Sequence, residues 1–370
     1  MKILVIGGTG PTGPYIVNGL HQRGHQVTLL HTGNHEVDTI PPQSVIPHIH
    51  ADPFDDGSFR DAIGNQTWDL VFAMYGRLRT IAPALQGVTP RLFSIGGVPV
   101  YAGYNEGSNL FPTGMAFPAR EDSAKVGERD ADKPRKILQS EELVFRLHPD
   151  ATHFRYPYIY GPNQVIPREW PIVRRALDGR PVLILADGGL TQHTAAYVEN
   201  VAHAVLLAVD HIDESAGTAY NVGDDVWYSL AQVAEVVQDE LGHRFEIVNL
   251  PGELARPAFP LLMHHNTEHR VTDCSLIRQE LGYRDVVAPL EGLRATIRWQ
   301  VANLAKDHAR VDEMQQDPYD YAAEDRLAKL YRDFAAACRA VPFESEPGWT
   351  FGYYGSRTNP GGARGSFRAG

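Results

Sequence analysis

Cysteine is nearly absent. Cys274 and Cys338 are the two in 370 residues, too few and too far apart for a disulfide framework or a thiolate metal site, and both are expected as buried thiols. Positive charge is also short: 34 Lys+Arg against 45 Asp+Glu leave a formal net charge of −11. Such a field repels nucleic acid and anionic membrane surfaces. No apolar run reaches the roughly 20 residues of a membrane-spanning helix. A strand-like segment beginning at residue 2 leaves no room for a leader peptide, so a soluble, cytoplasmic chain is expected. There is no internal repeat. The 16 histidines are scattered, and no His/Asp/Glu grouping has metal-ligand spacing, so no metal site is expected.

What is present is enough apolar sequence, 43%, to build one large domain or two interleaved lobes. Directly after Ile3, Leu4, Val5 and Ile6 come Gly7, Gly10 and Gly13, spaced three apart with Thr9, Pro11 and Thr12 between them. The first glycine permits a tight strand-to-helix turn, the second lets a pyrophosphate approach the backbone, and the third lets the helix lie close to the strand. A helix beginning near Pro11 would aim its amides at the phosphates. Strand-like segments at 2–7, 26–31, 45–48, 69–74, 90–95 and 152–155 alternate with helical ones, which implies a parallel sheet with right-handed crossovers. Beyond residue 161 shorter strands are expected at 182–185, 219–222 and 245–250, and helices at 198–209, 229–241, 276–281, 289–304 and 319–339.

Several motifs in order give the chain a family resemblance over about residues 1–304. They are the glycine turn, Asp52, Phe93-Ser94, Val100-Tyr101, Lys136, Arg155 with Tyr160-Gly161-Pro162, Tyr197-Val198 with Val201-Ala202, Tyr220-Asn221-Val222-Gly223, and Asp273 with Glu280-Leu281-Gly282-Tyr283. The pattern resembles the extended short-chain dehydrogenase/reductases, which include nucleotide-sugar epimerases and dehydratases. The resemblance implies an α/β, Rossmann-type doubly wound parallel sheet with a smaller α/β substrate lobe and a C-terminal extension. The corresponding divisions are a dinucleotide-binding domain at 1–160, an interleaved substrate lobe at 161–305 and an extension at 306–370. It also implies bound NAD(P), with Asp52 near the adenine, Met74, Tyr75 and Gly76 beneath the pyrophosphate and ribose, and Ser94 and Lys136 near the nicotinamide end.

The family's reaction centre resembles a Tyr-x-x-x-Lys pair with a nearby Ser or Thr, and here the sequence departs from it. Lys136 suits the lysine by its distance from Arg155, but Asp132 stands where the tyrosine belongs, and Gly96 or Gly97 where the serine belongs. Lys136, Tyr101 and Asp132 are therefore the catalytic candidates, with Tyr104, Tyr158 and His193 on the substrate side. Tyr158 replaces the family's asparagine. His193 replaces an arginine that clamps a diphosphate, which argues against a nucleotide sugar. Tyr156, Tyr158, Tyr160 and Trp170 could line a flat substrate. After the second strand come His31, Thr32, Gly33, Asn34 and His35, with neither the acid that selects NAD nor the arginine that selects NADP. Without an acid to repel a 2′-phosphate, NADP is favoured. Arg77 and Arg79 are candidates for an anionic group.

Three functions follow. The first is an atypical NAD(P)-dependent oxidoreductase acting on a small non-nucleotide carbonyl or hydroxyl substrate. The second is a lyase, isomerase or epimerase with recycled or structural NAD(P), and the third a non-catalytic NAD(P)-binding sensor. Neither nucleic acid nor membrane is an expected partner; a homodimer is compatible with the sequence. The extension carries Tyr319, Tyr321, Tyr331, Phe334, Trp349, Phe351, Tyr353 and Tyr354, too many aromatics to leave in water, and should dock on the substrate lobe or across a dimer.

Overall fold

Strand β1 (Lys2–Ile6) is apolar at successive positions because both of its faces are covered. Ile3 and Val5 pack with Ile16, Val17 and Leu20 of helix α1 (Gly13–Gln22) on one face of the sheet, while Leu4 and Ile6 pack with Phe59 and Ile63 of α2 (Asp56–Ile63) on the other. In this computed structural model, which describes residues 1–34, 37–74 and 77–345, β1 lies inside a seven-stranded parallel sheet. Its other strands are β2 (Gln26–His31), β3 (His48–His50), β4 (Leu70–Ala73), β5 (Leu92–Gly97), β6 (Thr152–Tyr156) and, from far along the chain, Ala219–Asn221. The latter strand and β3 form the two edges, and the spatial order reverses at β1. Ligands of open α/β sheets bind at the carboxyl ends of strands on such a reversal.

The face of the sheet shared with α2 is completed by α3 (Leu78–Ala84) and α4 (Asp132–Leu147). A second hydrophobic core holds two small parallel sheets, β7 (Tyr158–Tyr160) with β9 (Ala195–Tyr197), and β8 (Val182–Ala186) with β11 (Glu246–Leu250), the sheet-edge strand Ala219–Asn221 being β10. Helices at Trp170–Leu177, Leu230–Leu241 and Pro289–Leu304 pack around these sheets.

The expected fold class is observed, with local corrections. The third strand occupies 48–50 rather than 45–48, because the amides of Val45 and Ile46 are bonded to the Pro42 carbonyl in a turn. Helix α1 starts at Gly13 rather than near Pro11, since residues 10–13 close a turn through the Gly13 amide and Gly10 carbonyl. The β7–β9 pair was not anticipated. Cys274 is buried, but Cys338 is exposed.

The extension docks on the second core. Ala328 of the helix Tyr321–Arg339 is fully buried there. Arg175, 1% exposed, bonds both Asp317 and Glu324 at 2.8 and 2.5 Å. The Trp170 indole donates to Asp312 at 2.8 Å. Tyr319 lies under Arg174 and Arg175, and the Tyr321 hydroxyl donates to Asp178. Phe334 stays 68% exposed. Trp349, Phe351, Tyr353 and Tyr354 lie outside the described residues.

Candidate active site

The glycines of the first turn divide the work by conformation and space. Gly7 and Gly8 have φ of 96° and 84°, values that L side chains rarely adopt. A Cβ on Gly13 would fall 2.1 Å from the Gly8 carbonyl oxygen, so this glycine sets how closely α1 approaches the strand. A Cβ on Gly10 would meet nothing within 4 Å, which leaves Thr9, Gly10 and Pro11 bordering open space. Thr12 precedes α1 without capping it by its side chain, so the helix presents first-turn amides to that space. A cradle with room at Gly10 and none at Gly13 fits a dinucleotide pyrophosphate.

The ribose end departs from expectation. His31 ends β2 only 3% exposed, its Nδ1 accepting from the Gly33 amide at 3.2 Å and its Nε2 lying 3.1 Å from His48 Nδ1. Its ring is held in the seam between β2 and β3 and is not offered to a ribose, which corrects its assignment as a cofactor contact. Thr32 accepts from the Asn34 amide at 3.4 Å. Asp52 is exposed after β3, with one carboxylate oxygen accepting from the Phe54 amide at 2.8 Å. Arg77 stacks on Phe54 at 4.4 Å, and Arg79 and Met74 line the cleft described next. His35, Tyr75 and Gly76 lie outside the described residues.

Beyond the carboxyl ends of β5 and β6 opens a cleft of about 1050 Å³ between the two cores. Lys136 and Asp132 both line it, 3.3 Å apart on one face of α4. Bonds from Lys136 first, then Arg135, hold the exposed Asp132 carboxyl below the usual carboxylate range, so it serves as the lysine's counter-ion and is a poor proton acceptor. Gly96 and Gly97 also line the cleft, and a Cβ at Gly96 would fall 2.3 Å from His153, which excludes a family-type serine there without rearrangement.

Ser94 and Tyr101 do not belong to this cleft. Ser94 is fully buried and bonded to His153 Nδ1 at 2.7 Å. The Tyr101 hydroxyl donates to Asn221 at 2.6 Å and accepts from Arg155 at 2.7 Å, and burial pushes its phenol up to about 12 despite that arginine. Both are structural, which corrects a cofactor role for the first and a catalytic role for the second. Among the other aromatics, Tyr160 donates to Asp224 and Trp170 is fully buried, so Tyr156 and Tyr158 alone of that group line the cleft. The Tyr158 hydroxyl accepts from the Arg168 amide and donates to Glu169, leaving its ring as the exposed surface. The Tyr156 hydroxyl faces Thr12 of the glycine turn without a well-formed hydrogen bond.

The far end of the cleft is positive. Tyr104, Arg168, His193 and His264 line it, with Arg270 immediately behind, its guanidinium 3.3 Å from His193 Nε2. Burial first, then Arg168 and Arg270, drives the His193 imidazole well down. Burial, then the same arginines, drives His264 down to about 3. Both are neutral near pH 7, and because His193 Nε2 accepts from Arg270, its Nδ1 carries the proton and can donate. Burial raises the Tyr104 phenol, although both arginines oppose this. Arg168 is 7% exposed and Arg270 1%, bonded to backbone carbonyls and Asn266. Neither has a carboxylate at ion-pair distance among the described residues. Sequence reasoning missed both arginines. Arg270 meets His193 only through a parallel backbone bridge joining positions 77 apart.

Residues 145–223 match the NAD dependent epimerase/dehydratase family. The UDP-D-apiose/UDP-D-xylose synthase 2 of Arabidopsis thaliana is 25% identical over 154 residues, 40% of either chain, so the match spans about two fifths of that relative's length. The chloroplast stem-loop binding protein of 41 kDa b from the same plant is 24% identical over 307 residues, 79% of this chain and 77% of that one. A UDP-glucose 4-epimerase from Thermotoga maritima, solved with UDP-glucose, superposes with a TM-score of 0.65 at 18% identity, covering 82% of this chain and 100% of the other. The matched segment is thus similar to the NAD dependent epimerase/dehydratase family, and the solved structures share this chain's fold.

Proposed function

We propose that this chain is an NAD(P)-dependent oxidoreductase acting at a hydroxyl or carbonyl carbon of a small anionic substrate. The observation that carries the reading is Arg168. It is a buried guanidinium lining the cleft with no carboxylate at ion-pair distance among the described residues, only the field of neighbouring Glu169, an arrangement costly in the free protein unless an anion completes it. When bound, NAD(P) supplies the hydride donor or acceptor. The glycine turn holds its pyrophosphate, and Lys136, steadied by Asp132, borders the place where the nicotinamide ribose would lie. The lack of a carboxylate among residues 31–34, the described residues at the end of β2, favours NADP, with Thr32 and Asn34 as the available donors.

Arg168, backed by Arg270, receives the substrate's anionic group. His193, tautomerically fixed by Arg270, donates from Nδ1 to a substrate oxygen. A second reading, epimerisation of a sugar nucleotide with the dinucleotide retained, is favoured by Arg270, since two guanidinium groups suit a diphosphate. The net charge of −11 opposes a stem-loop binding role like that named for the second relative.

Fluorescence titration with NADPH and NADH tests the cofactor. Gly10→Val should abolish binding with the melting temperature preserved, because the added side chain enters open space in the free protein. Equal affinity in wild type and variant would remove the cofactor site. Turnover of NADPH with a panel of carboxylated and phosphorylated carbonyl compounds, beside UDP-sugars assayed for epimerisation, separates the two readings.

A further inference from the structure

Three histidines come together away from the cleft, at the edge of the large sheet. β2 and β3 pair so that His31 lies opposite His50 and Leu29 opposite His48. The two-residue period of a strand then places His48 and His50 on the face that carries His31. Ring centroids are 5.0 Å apart for His31–His48, 5.0 Å for His31–His50 and 6.4 Å for His48–His50. One ring nitrogen from each lies within 4.8 Å of the other two. His31 is buried, His48 half-buried and His50 exposed, so the group opens to solvent on one side.

We propose that His31, His48 and His50 form a binding site for one divalent transition-metal ion of the zinc class, leaving a coordination position open. Imidazole nitrogen is a preferred donor for such ions. His31 Nε2 and His48 Nδ1 are already 3.1 Å apart, close to the roughly 3.3 Å that separates two nitrogens on a tetrahedral zinc with Zn–N bonds of about 2.0–2.1 Å. The remaining adjustment is for His50 to close in. β3 can supply it, being three residues long and paired with β2 alone at the sheet edge. The Gly33 amide bond to His31 Nδ1 places that ring's proton on Nε2, directed at His48. Coordination through Nε2 moves the proton to Nδ1 and requires the Gly33 N–H to turn away. Gly33, at φ 80° and with no side chain, is suited to that change. Each imidazole coordinates through one ring nitrogen and keeps its proton on the other.

The test uses the full chain after chelator treatment. Calorimetry with Zn²⁺ and equilibrium dialysis with metal analysis should give one ion per chain, and Co²⁺ should show the intense visible bands of a tetrahedral nitrogen site. His48→Ala and His50→Ala should each weaken binding by at least the roughly 100-fold that even outer-shell changes can cost. His50 is exposed, so His50→Gln, which keeps a polar side chain there, carries the test should His48→Ala not fold. No binding by wild type, an octahedral Co²⁺ spectrum, or unchanged affinity in His50→Gln would overturn the site.

Discussion

Arg168 and Arg175 are seven residues apart and both buried, 7% and 1% exposed, yet they are opposite cases. Arg175 is clamped by Asp317 and Glu324 and joins the extension to the second core. Arg168 lines the cleft and has no carboxylate partner among the described residues. Burial of a guanidinium is thus no guide to its role; its counter-charge is. Where the chain provides the anion, the arginine fastens structure. Where it does not, the fold retains a positive site for a ligand to neutralise.

The largest expected effect comes from breaking the first case. Arg175→Ala strands two buried carboxylates and should lower unfolding free energy by about 3–5 kcal/mol, the range for removing one partner of a buried pair. Denaturant titration reads this directly. Arg168→Ala in the same assay should lose far less, because it removes a charge with no carboxylate at ion-pair distance along with one bond to the Leu261 carbonyl. Comparable losses would erase the distinction between the two arginines.

A third buried arginine sharpens the comparison through pH. Arg155 is paired with Glu141 at 2.6 Å, and His153, bonded to Ser94 and edge-on to Phe145, sits 3.4 Å from the same carboxylate. Burial first, then Arg155, pushes the His153 imidazole down to about 4 although Glu141 pulls the other way. A histidine lowered on folding binds fewer protons in the native state, so its contribution is present above the unfolded value near 6.5 and lost as pH falls towards 4. Complete loss amounts to about 3 kcal/mol, taking 1.36 kcal/mol per pH unit. Glu141, raised by burial but lowered on balance by Arg155, adds a loss of the same sign below the usual carboxylate range. The difference in urea stability between wild type and His153→Gln should therefore shrink from pH 7 to pH 5. A difference independent of pH would show that His153 does not titrate in this way.

Next in size is the ligand side of the comparison. Arg168→Ala should raise KM for an anionic substrate by about 10- to 150-fold, equivalent to the roughly 1.5–3 kcal/mol of a hydrogen bond to a charged group. The cofactor titration should not move. A parallel loss of NADPH affinity would place Arg168 at the dinucleotide instead and move the substrate anion elsewhere.

What could be read in the sequence follows how local each determinant is. The glycine turn was legible because Gly7, Gly8, Gly10 and Gly13 act on one another, Gly13 against the Gly8 carbonyl. The parallel sheet was legible because burial on both faces leaves nearly continuous apolar runs. Tyr101 and Ser94 were misplaced because their fates depend on Asn221 and His153, 120 and 59 residues away. Arg270 and the histidine group escaped for the same reason: strand pairing, absent from spacing rules, brings Arg270 to His193 and His31 to His50. His48 and His50 alone, two apart on a strand, were a signal that one face would carry both.

The smallest expected effect concerns the residue that occupies the family's tyrosine position. Asp132 is exposed and held to Lys136 and Arg135, with its carboxyl below the ordinary range through those bonds. A base must take up a proton near the working pH, and a carboxyl made more acidic by two cations does so poorly. Asp132→Asn should therefore change turnover by no more than about twofold and leave the melting temperature alone, since exposed ion pairs contribute little. A drop of about 10²–10⁴, the usual contribution of an acid/base group, would make Asp132 the proton acceptor after all. That result would move the chemistry from the His193 side of the cleft to α4, while leaving the contrast between Arg168 and Arg175 intact, because neither arginine bonds α4.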